Sequence, residues 1–331
     1  MGHLPGPQSV RTIFLGGGTP THLAPPQLER LLTLIARHFR LEAGGEYTVE
    51  ANPDSLTEDR IAVLAAFGVG RVSLGGQSFH PHLLAVLERE HDPAAIARAV
   101  ENLRGRIDHV SIDLIFGIPG QSLAEWRVDL AAAVALDVEH VSTYGLTYEK
   151  GTPLWKQRRR GTLVPLDEGA ELAMYRHAID ALESAGFDHY EISNFALPGA
   201  ECRHNQVYWA NEAYFGVGLG AARYVGGNRE VNTRDLSAYI RRALAGGSVT
   251  RESEHLAPAE RASETMAVQL RRREGIDRAA FLAQTGFALD AVAGGRLAPL
   301  VELGLLADDG RGVSLTRAGK YVADGVIEQL L

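Results

Sequence analysis

Two carboxylates and a run of glycines carry the first chemical signal in this 331-residue chain. In FLGGGTPT, residues 14–21, Gly16, Gly17 and Gly18 allow the backbone to approach a ligand closely and to aim N–H groups at it. The same three glycines would also serve a tight strand-to-helix turn. The run lacks the Lys-Ser/Thr of a phosphate loop and the spacing of a dinucleotide fingerprint. Glu50 and Asp113 fall in or beside apolar runs, TVEA and SIDLIF. An isolated buried charge is very costly, so each must either form a structural salt bridge, with an arginine such as Arg71 or Arg89, or recognise the hydroxyls or amine of a ligand.

Gln77 and Arg89 belong to QSFHPHLLAVLEREHD. Gln77 closes a strand and Arg89 ends the next helix. A guanidinium there can grip a carboxylate through two parallel hydrogen bonds, or stand as a solvated helix-end charge. A second rich segment, ECRHNQVYWANEAYFGVGLGAARY at 201–224, sets Cys202, His204, Tyr208, Trp209, Tyr214 and Phe215 among glycines. Cys202 and His204 alone cannot make a zinc site. The segment is either an aromatic mini-core with His204 hydrogen-bonded or a surface that clasps a flat apolar ligand with His204 as an axial ligand to iron. His80 and His82 flank a turn at Pro81 rather than showing metal-ligand spacing.

These residues need elements to hold them. Strand-like runs VRTIFL (10–15), EYTVEA (46–51), RVSL (71–74), HVSIDLIF (109–116) and HVSTYGLT (140–147) alternate with helix-period segments. The helical stripes are Leu28, Leu31, Leu32, Ile35; Ile61, Leu64, Ala65; and Leu123, Trp126, Leu130, Val134. Alternation of this kind predicts βα units on a parallel sheet, a barrel or part of one. The listed polar residues then stand where strands end: Gly16–Pro20, Glu50 and Asn52, Gln77 and Ser78, Asp113 with Gly117, and Tyr144, Gly145 and Thr147. Ligands of parallel barrels sit at those carboxyl ends. Residues 150–167 break the rhythm as a connection. A helix from Glu168 to about Ala185 ends at Gly186, and 187–227 shows little helical period. The tail reads helix, helix, short hairpin, helix, the outline of a winged-helix-like module. Three regions result: 1–150, 151–255 and 256–331.

Charge and composition narrow the class. Lysine and arginine total 33 against 41 acids, a net charge of −8, which argues against a general nucleic-acid binder. The one cysteine, Cys202, excludes an internal disulfide and an all-cysteine zinc or iron–sulfur site built from these residues alone. No apolar run reaches the ~18–20 residues that cross a bilayer. The opening residues lack the order of a secretory signal. The expected location is cytoplasmic.

Taken together and in order, FLGGGTPT, TVEANPDSL, RVSLGGQSFHPHLL…REHD, SIDLIFGIPGQS, STYGLTYEKGTPL and EISNFA…CRHNQVYW resemble the radical S-adenosylmethionine group that contains oxygen-independent coproporphyrinogen III oxidase and the HemW-type heme chaperones. The resemblance spans nearly the whole chain. It implies a partial parallel (β/α) barrel with an α/β extension and a winged-helix-like tail. It also implies that Gly17, Gly18 and Thr19 meet the methionyl end of S-adenosylmethionine, that Glu50, Gln77, Arg89 and Asp113 hold its polar groups, and that Gly145 lies near the adenine. His204, in a His-Asn-x-x-Tyr-Trp motif with Asn205, Tyr208 and Trp209, is the implied heme contact. GLGAARY departs from the pattern where a histidine is expected near Arg223.

The group also carries a Cys-x-x-x-Cys-x-x-Cys loop upstream of the glycine run, whose thiolates hold a [4Fe–4S] cluster. That loop is not in these residues, and the expectation is that the complete protein is longer than the chain from Met1. The function implied is heme binding and transfer to an acceptor protein. The alternatives are oxidative decarboxylation of coproporphyrinogen III, and a barrel that binds a small polar ligand without heme or redox chemistry.

Overall fold

The computed structural model describes residues 6–331. Two compact units divide the chain after Cys202.

The first unit contains β1 (Gln8–Leu15), α1 (Pro25–His38), β2 (Phe39–Ala51), α2 (Glu58–Ala66), β3 (Arg71–Gln77), α3 (Pro81–Val86), α4 (Pro93–Leu103), β4 (His109–Phe116), α5 (Leu123–Ala135), β5 (His140–Gly145), α6 (Pro153–Arg159), α7 (Glu168–Ser184), β6 (Asp188–Glu191) and β7 (Asn194–Ala196). One seven-stranded sheet runs in the order β1-β2-β3-β4-β5-β7-β6. Neighbours from β1 to β5 are parallel. β7 then runs antiparallel to β5, and β6 antiparallel to β7. This is the partial βα barrel expected from the sequence.

Strand alternation divides the sheet by chemistry. Val49, Val72, Leu74, Ile112, Leu114 and Val141 are fully buried. The helices contribute Leu28 and Leu32, Ile61 and Leu64, Ile96 and Leu103, Trp126 and Leu130 to the same core. Each such aliphatic side chain contributes about 1.5–3 kcal/mol. The residues of opposite parity are polar: Glu50 pairs in register with Ser73, Asp113 with Ser142, and Ser142 with Asn194. Helix entries are built locally. Asp92 accepts from the Ala95 amide at 2.7 Å, Ser122 and Glu125 form a capping box, and Asp167 caps α7 through the Ala170 amide at 3.0 Å. Gly186, at φ +92°, releases the chain after α7 as its sequence position predicts.

Some expectations need correction. β2 starts at Phe39, directly after α1, because Phe39–Leu41 also pair with β1 across a register shift. β5 stops at Gly145, where the Leu146 amide turns to the Phe116 carbonyl at 2.9 Å. Residues 188–196, inside the segment that shows little helical period, extend the sheet as β6 and β7.

The antiparallel strands cover a buried polar layer. Arg71 lies 3.6 Å from Glu46 and donates to the Ala200 carbonyl at 2.8 Å. Cys202 Sγ donates to Glu46 at 3.4 Å, and His140 bridges Ser111 and the Tyr190 hydroxyl.

The second unit contains α8 (Arg203–Trp209), β8 (Ala222–Val225), β9 (Asn228–Asn232), α9 (Leu236–Leu244), β10 (Thr250–His255), α10 (Pro258–Gln269), β11 (Ile276–Asp277), α11 (Arg278–Thr285), α12 (Leu289–Ala293), α13 (Leu297–Glu302), β12 (Leu306–Asp308), β13 (Gly312–Leu315), α14 (Arg317–Lys320) and α15 (Ala323–Leu330). β8, β9 and β10 form an antiparallel sheet. In the tail, the expected hairpin β12–β13 gains β11 as a third strand. Met266, Leu270, Phe281, Leu300 and Leu330 fill its core. Among the described residues, no helix is long and apolar enough to cross a membrane.

Candidate functional site

The glycine run leaves β1 as an open loop. Gly16, Gly17 and Gly18 are exposed, and a Cβ added at Gly17 or Gly18 would meet nothing within 4 Å. Gly17 needs its lack of a side chain for another reason, a left-handed φ of +80°. Gly16 differs again. A Cβ there would stand 2.6 Å from the Glu50 carboxyl carbon and 2.6 Å from the Phe14 ring. The loop is thereby seated on Glu50, whose Oε2 accepts the Gly17 amide at 3.0 Å. Thr19 then accepts the His22 amide at 2.9 Å and starts a short 3₁₀ turn over Pro20–His22.

Glu50 and Asp113 occupy this polar face two strands apart. Burial pushes the Glu50 carboxyl above the usual range, the amides of Gly17 and Gly18 pull it down, and the nearby Asp113 pushes it up again. Asp113 keeps some access to solvent. Enough protein surrounds it that burial raises its carboxyl, against the hydroxyls of Ser142 and Ser73. Ser73 Oγ lies 2.9 and 3.1 Å from the two Asp113 oxygens. Among the described residues, no arginine is among the charges that shift either acid. Arg71 is instead engaged with Glu46, and Arg89 is exposed just beyond α3. The salt-bridge alternative is therefore not realised with Arg71 or Arg89. Two solvent-reachable carboxyls held by neutral donors can accept from a ligand's ammonium or hydroxyls. Tyr144 follows Ser142 on the same face and is 41% exposed. Burial, then the Asp113 charge, raises its phenol, so it stands there as a protonated donor. Gly145 lies flat on Phe116, where a Cβ would reach the ring at 3.4 Å.

Gln77 ends β3 in an unusual backbone. Its φ is +62°, and the Ser78 amide donates back to the Gly76 carbonyl at 2.8 Å. This is a three-residue γ-turn with a left-handed centre, which is rare and strained. Such a conformation costs of order 1–3 kcal/mol in a non-glycine residue. The Gln77 side chain folds over Gly75, where a Cβ would sit 2.8 Å from its amide nitrogen. Two buried side chains hold the turn. His91 Nε2 lies 3.1 Å from the Gly76 carbonyl. Asp129 accepts from Ser78 Oγ at 3.0 and 3.1 Å, from the Phe79 amide at 2.6 Å, and from Gln121 at 3.4 Å. The sequence reading missed Asp129. The available signal is its position on the buried stripe of α5 between Trp126 and Leu130, where a carboxylate needs a reason.

His204 is on α8, a helix where little helical period was expected. It is half-buried, with Nε2 3.1 Å from the Tyr208 hydroxyl. The two rings meet edge-on at 4.9 Å. Tyr208 packs edge-on against Tyr214 at 4.7 Å, and Arg271 lies over Trp209 at 5.6 Å. The motif residues thus share one helix whose aromatic side is already organised. No group of three or more His, Cys, Asp or Glu that could hold a metal ion occurs among the described residues. Cys202 is buried and engaged with Glu46, so a three-thiolate cluster set has no counterpart in these 331 residues.

The half-barrel carries glycines and carboxyls at the carboxyl ends of its parallel strands, and its sequence places it among proteins of radical S-adenosylmethionine type. Residues 4–132 match the radical SAM superfamily, and residues 256–322 match the HemN C-terminal domain. The chain is similar to heme chaperone HemW of Bacillus subtilis, with 36% identity over 98% of this chain and 86% of that protein. It is 38% identical to heme chaperone HemW of Mycobacterium tuberculosis over 98% of this chain and 81% of that one. It superposes on coproporphyrinogen III oxidase (HemN) from Escherichia coli with a TM-score of 0.84, covering 97% of this chain and 78% of the other at 22% identity, a likeness of fold. The chain belongs to the HemW heme chaperone family within that superfamily.

Proposed function

We propose that this protein is a heme chaperone: it binds heme and hands it to an acceptor protein in the cytoplasm. The observation that carries this reading is the 36–38% identity over 98% of the chain to proteins named heme chaperones. The heme contact is His204, supported by its place on a half-exposed aromatic helix face. An imidazole nitrogen is a common axial ligand to heme iron. The Tyr208 hydroxyl stands 3.1 Å from Nε2, so that hydrogen bond must yield wherever Nε2 is the nitrogen that meets iron.

The mouth of the sheet holds S-adenosylmethionine in this reading. The residues present suit it: an exposed glycine loop at Gly17 and Gly18, whose amides bond to the Glu50 carboxyl, and the carboxyls of Glu50 and Asp113 offer acceptors to a ligand that carries an ammonium and ribose hydroxyls. On the resemblance, Thr19 meets the methionyl end with Gly17 and Gly18, Gln77 and Arg89 hold polar groups beside Glu50 and Asp113, and Gly145 lies near the base. When bound, S-adenosylmethionine supplies a sulfonium centre. The chain's own residues bind and orient it.

The test is a heme titration followed by absorbance. The wild type is expected to shift the heme spectrum, and His204→Ala to weaken binding about tenfold or more, ~1.4 kcal/mol. An unchanged titration removes the role of His204. No heme-dependent change in the wild type leaves a barrel for a small polar ligand alone. Turnover of coproporphyrinogen III by the protein would mark the oxidase reading instead.

A further inference from the structure

We propose that Asp129 is a positioning residue: it holds Gln77 in its left-handed turn and thereby presents the Gln77 amide to the ligand in the sheet mouth. The proposal rests on the S-adenosylmethionine reading of that mouth for its ligand, but the clamp itself is a property of the fold.

The geometry is specific. Asp129 is fully buried, as is Ser78. Its bonds go to Ser78 Oγ and the Phe79 amide, the two residues that follow Gln77 and leave the turn. Ser78 Oγ in turn accepts the His80 amide at 3.1 Å. On the entry side, Gly76 is fixed by His91 and by close packing, since a Cβ there would touch Ile112 at 3.3 Å and Ile96 at 3.4 Å. The strained residue is thus held on both sides, and its own side chain folds back over Gly75, the residue in register with Asp113.

Every hydrogen bond into Asp129 comes from a donor: a hydroxyl, a backbone N–H and the Gln121 amide, and the His80 imidazole lies 3.8 Å from the same carboxylate. A carboxylate accepts all of them. An asparagine has one acceptor oxygen and would aim its own N–H at a donor. Asp129→Asn therefore keeps the shape of the side chain and leaves one acceptor oxygen where the Ser78 hydroxyl, the Phe79 amide and the Gln121 amide had two, which weakens the clamp. A carboxylate placed there only to fill space would not need both of its oxygens bonded to the segment after β3.

Two measurements decide it. The first is amide exchange at Ser78, whose N–H bonds to Gly76 within the turn and not to Asp129. Asp129→Asn, or Ser78→Ala if the first variant fails to fold, is expected to speed exchange at Ser78 about tenfold relative to amides of the β4 core. Unchanged exchange overturns the proposal whatever the ligand. The second is a double-mutant cycle read by calorimetric binding of S-adenosylmethionine. Asp129→Asn is expected to weaken binding about tenfold in the wild type and less than twofold in a Gln77→Ala background. Equal weakening in both backgrounds shows a general structural effect and overturns the proposal. If the wild type binds no S-adenosylmethionine, the reading of the mouth fails, and the exchange result still decides whether Asp129 holds the turn.

Discussion

The Gly17 amide and the Glu50 carboxylate meet across 3.0 Å, joining the loop after β1 to the end of β2. The carboxylate is thus both a ligand-facing group and part of the loop's support. Glu50→Gln separates these tasks, because the amide oxygen still accepts from Gly17 while the charge is gone. Binding of S-adenosylmethionine is expected to fall about tenfold or more, as for loss of a charge-assisted hydrogen bond. The melting temperature should hold or rise, since a desolvated charge is removed. Calorimetry beside a thermal melt checks this. A lower melting point with unaltered binding would make Glu50 structural only.

Gly16 and Gly18 look interchangeable in sequence and are not. Gly16→Ala places a methyl against the Glu50 carboxyl and the Phe14 ring, each 2.6 Å away. Overpacking of that kind costs about 1–3 kcal/mol. Gly18→Ala meets nothing within 4 Å and should leave the denaturant midpoint in place. Urea unfolding of the two variants side by side tests the contrast. Equal midpoints would refute the seating of the loop on Glu50.

Acid should weaken the mouth earlier than ordinary carboxylates would suggest. Burial raises both Glu50 and Asp113. Each therefore loses its charge as pH falls through a value above its normal one. Their folded forms favour the neutral acid, so protonation does not destabilise the unit, but it does remove the negative charge a cationic ligand needs. Affinity for S-adenosylmethionine is expected to decline at a higher pH than ordinary carboxylates would give, while the fold persists. A flat affinity across the acidic range would contradict this.

The tail module should respond to acid in the opposite sense. Arg278 contacts both oxygens of Asp308 at 2.8 Å and both of Asp290 at 3.0–3.1 Å. The Arg278 hydrogen bonds lead in pulling Asp308 down to about 2. A depressed acid stabilises the folded state above its unfolded pKa. That contribution disappears as pH falls from near 4 through about 2. Arg278→Ala should flatten this part of a stability-versus-pH curve for the full chain. An unaltered curve would show the pair to be idle.

Arg71 offers the sharpest stability test. It is 3% exposed and faces Glu46 at 3.6 Å. Arg71→Met leaves that carboxylate buried without its guanidinium, at a cost of about 3–5 kcal/mol. A melting temperature within a degree or two of the wild type would overturn the assignment.

Much of the barrel was legible because its chemistry is periodic. HVSIDLIF is β4 residue for residue, and the Leu28, Leu32, Ile35 stripe is the buried side of α1. β6 and β7 were not legible. Four and three residues long, with DHYE and NFA buried by their neighbours, they carry no alternation of their own. The mouth acids could be found because charge interrupts apolar runs. Ser73 and Ser142 could not, since a serine in a strand signals nothing until register sets it beside Asp113. Asp129 was hidden differently, in a helix whose first turn carries another acid, Glu125.

The parity of the sheet limits how this protein can diverge. Glu50, Ser73, Asp113 and Ser142 share a face only because each strand has kept count of its residues. One codon gained or lost within Thr48–Ala51 of β2 or inside β4 would turn the carboxyls into the aliphatic layer and the aliphatics outward. Such strands can change by substitution but not in length, whereas the surface loops joining them are free to grow. Among descendants of this gene, insertions should therefore accumulate between the strands and be absent within them.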